Sequence, residues 1–285
     1  MSALETRAKE EALPVTVIRP SRGWAGLDLR EMWRYRELTF FLIWRDIKVR
    51  YKQTLLGAGW AILKPFLSMV IFSVVFGQLA GLSSDGFPYP VFSFAALLPW
   101  TLFSDGVSKA GTSLVSGSHL ITKVYFPRLS IPLAEVVAGL VDFALAFVVL
   151  LGMMAYYGIR PTVAMWALPF FILLTLVTAL GVGLWLSALH VTYRDIGYVT
   201  PFILQAWQYA SPVVYSTNLI PQGIWRLLYG LNPLVGVIQG FRWAMLGSGQ
   251  PQMDMLLLSV GVALVILVTG ILYFRRMERT FADVV

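Results

Sequence analysis

Asp142 is the residue most in need of an explanation. It stands eleven residues into the apolar run 131–157, about 16 Å along a helix rising ~1.5 Å per residue. A carboxylate at that depth is costly in hydrocarbon and must face protein or water. Glu135, seven residues earlier, falls on the same helical face. A proton relay would use such acids, but the sequence offers no clear second acid deep in another span. A structural acid, hydrogen-bonded or protonated, is the preferred reading. Asp105 and Lys109, four residues apart in the preceding apolar run, are spaced to pair with each other.

A second chemistry is suggested by the ten Trp and twelve Tyr. Their flat rings offer apolar stacking faces, and their N–H and O–H groups can hydrogen-bond. Trp207, Tyr209, Tyr215, Trp225 and Tyr229 cluster between residues 199 and 230, and Trp60 and Trp100 stand near apolar runs. Two readings fit: aromatics lining a translocation path through the protein, or the aromatic belt at each membrane interface. A third pattern is "RDIKVRYK", where Arg45, Lys48, Arg50 and Lys52 surround Asp46 and Tyr51 just ahead of an apolar run.

Several chemistries are excluded. The chain has no cysteine and two histidines, His119 and His190, so neither a disulfide framework nor a His/Cys metal centre can be built. Both histidines fall at inner span ends, where solvated imidazole is expected. No Gly-Lys dipeptide occurs, so a phosphate-binding loop is absent and any nucleotide is bound elsewhere.

The elements that must position these residues are membrane spans. Of 285 residues, 58% are hydrophobic and 13% charged, with mean hydropathy +0.72. Soluble domains hold about 45–50% apolar residues. Twelve of the 22 Lys and Arg precede Pro65, and the rest mark ends of apolar runs. That pattern sets membrane orientation and is no nucleic-acid footprint.

Twenty uncharged residues separate Lys64 from Asp85, enough for one crossing. Further spans are expected at 91–116, 131–157, 164–189, from Val199 onward, and 255–274. From 218 to 248 the chain is broken by Pro, Gly and single Arg into lengths too short to cross, as in re-entrant segments buried in protein. The predicted fold is therefore all-α and integral to the membrane: six transmembrane helices, an N-terminal amphipathic interface helix at 29–56, and two short re-entrant gate helices before the last span. The transmembrane domain covers 57–274. Inner loops fall at about 117–130 and 190–200. The segment 1–28 shows no signal peptide and, with the tail 275–285, is expected in the cytoplasm. "GQLAG" and "GVIQG" match the small-residue packing pattern and are assigned to close helix contact. In the interface helix a Trp/Phe/Ile stripe is expected opposite the cations, for lipid anchoring or partner docking.

Four stretches, "RDIKVRYKQTLLGAGWAILKP", "LITKVYFPRLSIPL", "YRDIGYVTPFILQAWQYASPVVYS" and "LNPLVGVIQGFRWAMLG", resemble the permease subunit of ABC-2 type transporters. The likeness is to the branch exporting O-antigen, capsular polysaccharide and teichoic acid, and runs from Leu29 to Phe274. It implies a homodimer in the bacterial inner membrane that exports a lipid-linked polysaccharide. Each subunit would bind a cytoplasmic ATPase carrying ATP and Mg, so this chain is no enzyme and holds no cofactor. It also implies an ATPase-coupling surface on the interface helix and inner loops: Arg45, Asp46, Arg50, Tyr51, Lys123, Tyr125, Phe126, Arg128, Tyr193, Arg194 and Asp195. The re-entrant helices would form the outer gate. An exporter of drugs or lipids would share this architecture. An intramembrane transferase would need acids facing Arg160, Arg226 and Arg242, which the sequence does not supply.

Overall fold

The computed structural model describes residues 29–52, 57–119, 126–221, 223–249, 252–278 and 281. Its regular elements are all helical. The chain opens with α1 (Leu29–Arg34) and α2 (Arg36–Lys52), separated by a turn at Tyr35. Next comes α3 (Gly59–Phe72), which widens into a π-helical stretch, Ser73–Leu79, making 21 residues in all. The long helices α4 (Tyr89–Ser116) and α5 (Ser130–Tyr156) follow. A 3-10 turn, Val163–Ala167, leads into α6 (Leu168–Thr192). After α7 (Ile196–Tyr209) the chain makes the short helices α8 (Ile224–Gly230) and α9 (Pro233–Leu246), and α10 (Met253–Met277) completes the bundle.

Five of these helices are long and apolar enough to cross a membrane: α3 with its π-helical extension, α4, α5, α6 with its 3-10 lead, and α10. The expected fifth span differs. Helix α7 has 14 residues, about 21 Å at ~1.5 Å per residue, against the ~30 Å of a hydrocarbon core. It stops because the backbone after Tyr209 turns, and the carbonyls there are taken by side chains of the α8–α9 region instead of by a further helical turn.

Helix α4 occupies the centre, with 78% of its apolar window buried against 17% for the α3 span. Phe92, Phe94, Leu97, Leu98 and Phe103 of α4 are fully enclosed by α5, α6 and α9. Lipid is as apolar as these side chains, so close packing rather than withdrawal from water holds such helices together. The α6–α10 contact illustrates this. A Cβ on Gly270 would lie 2.5 Å from the Gly181 carbonyl oxygen, so backbone rests on backbone. The "GVIQG" glycines serve the same end. A Cβ on Gly236 would meet Ser259 at 2.7 Å, and one on Gly240 would overlap the Phe171 ring.

Helix α2 runs beside the first half of α5 and in the same direction. Thr39 meets Ser130 at 3.2 Å, and eleven residues on, Arg50 meets Asp142. Its polarity departs from expectation. Phe40, Phe41 and Trp44 are exposed, while Leu42 and Arg50 turn towards the bundle. The stripe opposite the aromatics is therefore buried against α5 and does not form a free basic face.

Candidate functional site

The functional residues collect at two ends of the bundle. Towards one end, α2 delivers Arg50 and Tyr51 to Asp142 of α5, and both side chains hydrogen-bond its carboxylate. Lys109 of α4 stands 3.7 Å from the same carboxylate, and Arg50 also lies 3.8 Å from Glu135. Two cations and two acids from three helices thus balance, which answers the cost of placing Asp142 in an apolar helix. Burial, then the hydrogen bond to Asp142, pushes the Tyr51 hydroxyl well above its ordinary value, so it stays protonated and donates.

One sequence expectation is corrected here. Asp105 and Lys109 do not pair with each other. Asp105 accepts from Lys64 of α3 at 2.8 Å, and Lys109 turns to Asp142. A local spacing rule loses to tertiary partners on α3 and α5, both of which pack against α4. His190 also departs from solvated imidazole: its Nδ1 donates to the Gly111 carbonyl at 3.2 Å.

The expected coupling residues divide into groups. Arg45 and Asp46 pair with each other at 2.7 Å, and Arg50 and Tyr51 are engaged as described. Lys123 and Tyr125 lie outside the described residues. Phe126 is buried against Leu42, Phe274 and Phe281, and Arg128 donates to the Glu278 carbonyl beside the Phe281 ring. Those two residues hold the C-terminal segment to the bundle. Tyr193, Arg194 and Asp195 are exposed on the α6–α7 turn.

At the other end a bracket holds the broken segment. The Trp207 indole N–H donates to Asn232 Oδ1 at 2.9 Å, and Asn232 Nδ2 donates to the Ala210 carbonyl at 3.2 Å. Asn232 also caps α9 by accepting from the Leu234 N–H at 3.0 Å. Arg242 of α9 is 4% exposed and donates to the carbonyls of Phe92, Pro212, Val213 and Tyr215 at 2.7–3.2 Å. Its guanidinium stacks 3.5 Å from the Phe92 ring centroid. Tyr215 and Tyr229 share a hydroxyl hydrogen bond of 2.9 Å. Asp85, on the α3–α4 turn, accepts from Ser216 and Asn218.

Of the expected path aromatics, the structure gathers Trp207, Tyr209, Tyr215 and Tyr229 around this bracket: the Tyr215 hydroxyl donates to the Tyr209 carbonyl at 3.2 Å. Trp100 is a buried core residue against Phe103, Trp60 on α3 is exposed, and Trp225, on α8 with Tyr229, is exposed too. Asn232, Arg242 and Asp85 were not singled out as site residues by sequence. Their signals were Asn before Pro at a helix start, and a lone Arg in an apolar helix, which must be met by backbone carbonyls or an acid.

A multi-span helical membrane protein, with ionised residues at one end and broken short helices at the other, is the class this architecture defines. Residues 37–246 match the family model described as ABC-2 type transporter, and the chain belongs to that family. It is 30% identical over 256 residues to an O-antigen export system permease protein, RfbA, of Myxococcus xanthus, covering 90% of this chain and 98% of that one. A Klebsiella pneumoniae protein of the same name is 25% identical, covering 84% and 92%. The polysialic acid transport protein KpsM of Escherichia coli is 23% identical, covering 72% and 80%.

Proposed function

We propose that this chain is the membrane permease of an ATP-driven exporter carrying a lipid-linked polysaccharide, O-antigen-like, from the cytoplasmic to the outer face of a bacterial inner membrane. The observation that carries the reading is the near full-length likeness to a protein named for O-antigen export. The sequence has no phosphate-binding loop, which assigns ATP and Mg to a separate ATPase subunit. That subunit docks at the exposed Tyr193–Asp195 turn and reaches the Arg50–Asp142 cluster through α2. Helix α7 with the segment behind it serves as the sixth crossing, α8 and α9 as the outer gate, and both termini stay inside. Two copies related by a closed two-fold axis frame the passage, a reading supported by the exposed apolar face of α3 and its π-helical extension at Leu67, Val70, Ile71 and Val74.

The test is reconstitution. Affinity capture of the solubilised chain from its host should recover a protein with a Walker A motif, and liposomes holding both should move polymer only with ATP. Polymer movement without a nucleotide-binding partner, or by a monomer in native mass spectrometry, would refute the assignment.

A further inference from the structure

The bracket at the broken end encloses a polar cavity that packing alone does not explain. Asp85, Asn218, Gln239, Arg242, Ser248 and Gln252 line it, drawn from the α3–α4 turn, the loop after α7, α9 and the α9–α10 turn. Its volume is about 50 Å³. At ~10–15 Å³ per water centre that is room for about three to five oxygen atoms, enough for one hydroxylated edge of a sugar ring.

Two of its groups have unused capacity. Among the described residues, the buried Gln252 Oε1 accepts no hydrogen bond. Arg242 has five N–H groups, and four are given to backbone carbonyls. The charges decide what can enter. Asp85 would repel an anion and Arg242 a cation, so the lining selects a neutral ligand able both to donate and to accept. Hydroxyl pairs do both, since each O–H can donate to Gln252 or Asp85 and accept from Arg242.

We propose that this cavity is a saccharide subsite, binding vicinal hydroxyls of a neutral sugar at the gate end of the path. The proposal rests on the exporter reading and adds a place and a charge preference for the cargo. Subsite and bracket share Arg242, so an occupied subsite ties the cargo to the segment between α7 and α9.

The test uses the full chain in lipid nanodiscs with three probes: D-mannose, D-glucuronate and protonated D-glucosamine, titrated by saturation-transfer NMR. Mannose should bind, with the two charged sugars weaker by about tenfold or more. Gln252→Leu should weaken mannose by about tenfold, the effect of removing one partner from a desolvated hydrogen bond. Asp85→Asn keeps a residue that tolerates the positive φ of 54° at that position. It leaves Arg242 unopposed, so glucuronate should overtake glucosamine. If mannose binding is not saturable, or is unchanged in Gln252→Leu, the cavity holds water only and the proposal falls. Polymer export by the complete transporter is measured separately. Export without mannose binding sinks the subsite alone, whereas mannose binding without polymer export sinks the exporter reading alone.

Discussion

Replacing Asp142 by Asn, alone and together with Arg50→Gln, tests whether α2 is held to the spans by charge. The substitution keeps the shape and an acceptor for Tyr51, and removes the negative charge shared by Arg50 and Lys109. A pair about 4 Å apart at an effective dielectric near 20 gains about 4 kcal/mol before desolvation. Arg50 and Asp142 keep side-chain exposures of 17% and 21%, so water still screens them and part of the gain is returned as desolvation. The expected net loss for Asp142→Asn is about 2–3 kcal/mol, between exposed and fully buried pairs. The Arg50–Asp142 coupling from the double-mutant cycle should be about 1.5–2.5 kcal/mol. Unfolding by denaturing detergent in mixed micelles supplies the stabilities, and ATP-driven export measured on the same four proteins supplies function. Coupling below about 0.5 kcal/mol, the scatter of independent sites, would refute the latch. So would full export by an Asp142→Asn protein of parental stability.

Tyr51→Phe should be less stable than the parent below pH ~10, with the difference narrowing above it. The folded-state value of Tyr51 is raised, so its contribution is complete below the unfolded value and is lost as pH rises towards the folded one; a constant difference in pH-dependent unfolding would refute this. Trp207→Phe keeps the ring near Phe103 but loses the donor to Asn232. It should cost about 0.5–1.5 kcal/mol in detergent unfolding and leave export impaired, whereas full rescue of a Trp207→Ala export defect by Phe would show that the ring alone matters. Gly270→Ala puts a methyl 2.5 Å from the Gly181 carbonyl and should destabilise by about 1–3 kcal/mol, while Gly152→Ala, facing open space, should not. Equal thermal stability of the two variants would contradict the packing argument.

The spans could be read from sequence because twenty uncharged residues in a row have few other fates. Their partners could not, because helical spacing gives only neighbours three and four residues away. Arg50 and Asp142 are 92 residues apart and meet only once α2 lies along α5. The Asp105–Lys109 expectation failed for the same reason, since Lys64, 41 residues away, reaches Asp105 first. Hydropathy carried the fifth span past Tyr209, because it counts apolar residues without asking where their carbonyls find donors. Arg242 and Asn232 supply those donors from α9 and its cap, a relation that composition does not encode.

Helix α4 enters both ends of this design. It gives Lys109 to the charged cluster, Phe103 to the Trp207 contact and the Phe92 carbonyl and ring to Arg242. Seventeen residues separate Phe92 from Lys109, about 25 Å at ~1.5 Å per residue. A helix buried along 78% of its apolar window has little room to bend independently of its neighbours. Pro99, between the two ends, is where bending meets least resistance, because its ring removes one ladder hydrogen bond. Any movement of α2 would therefore reach the broken segment as displacement of α4, or be absorbed near Pro99. The alternative route, through α5, stops short: α5 carries Asp142 and Glu135 but supplies none of the carbonyls that Arg242 holds. Loss of Asp142 should accordingly alter the environment of Trp207 with no residue between α5 and α7 changed, read as the emission of the Asp142→Asn protein less that of the same protein carrying Trp207→Phe, since the chain holds ten Trp. Unaltered emission in a folded variant with impaired export would place the transmission outside α4.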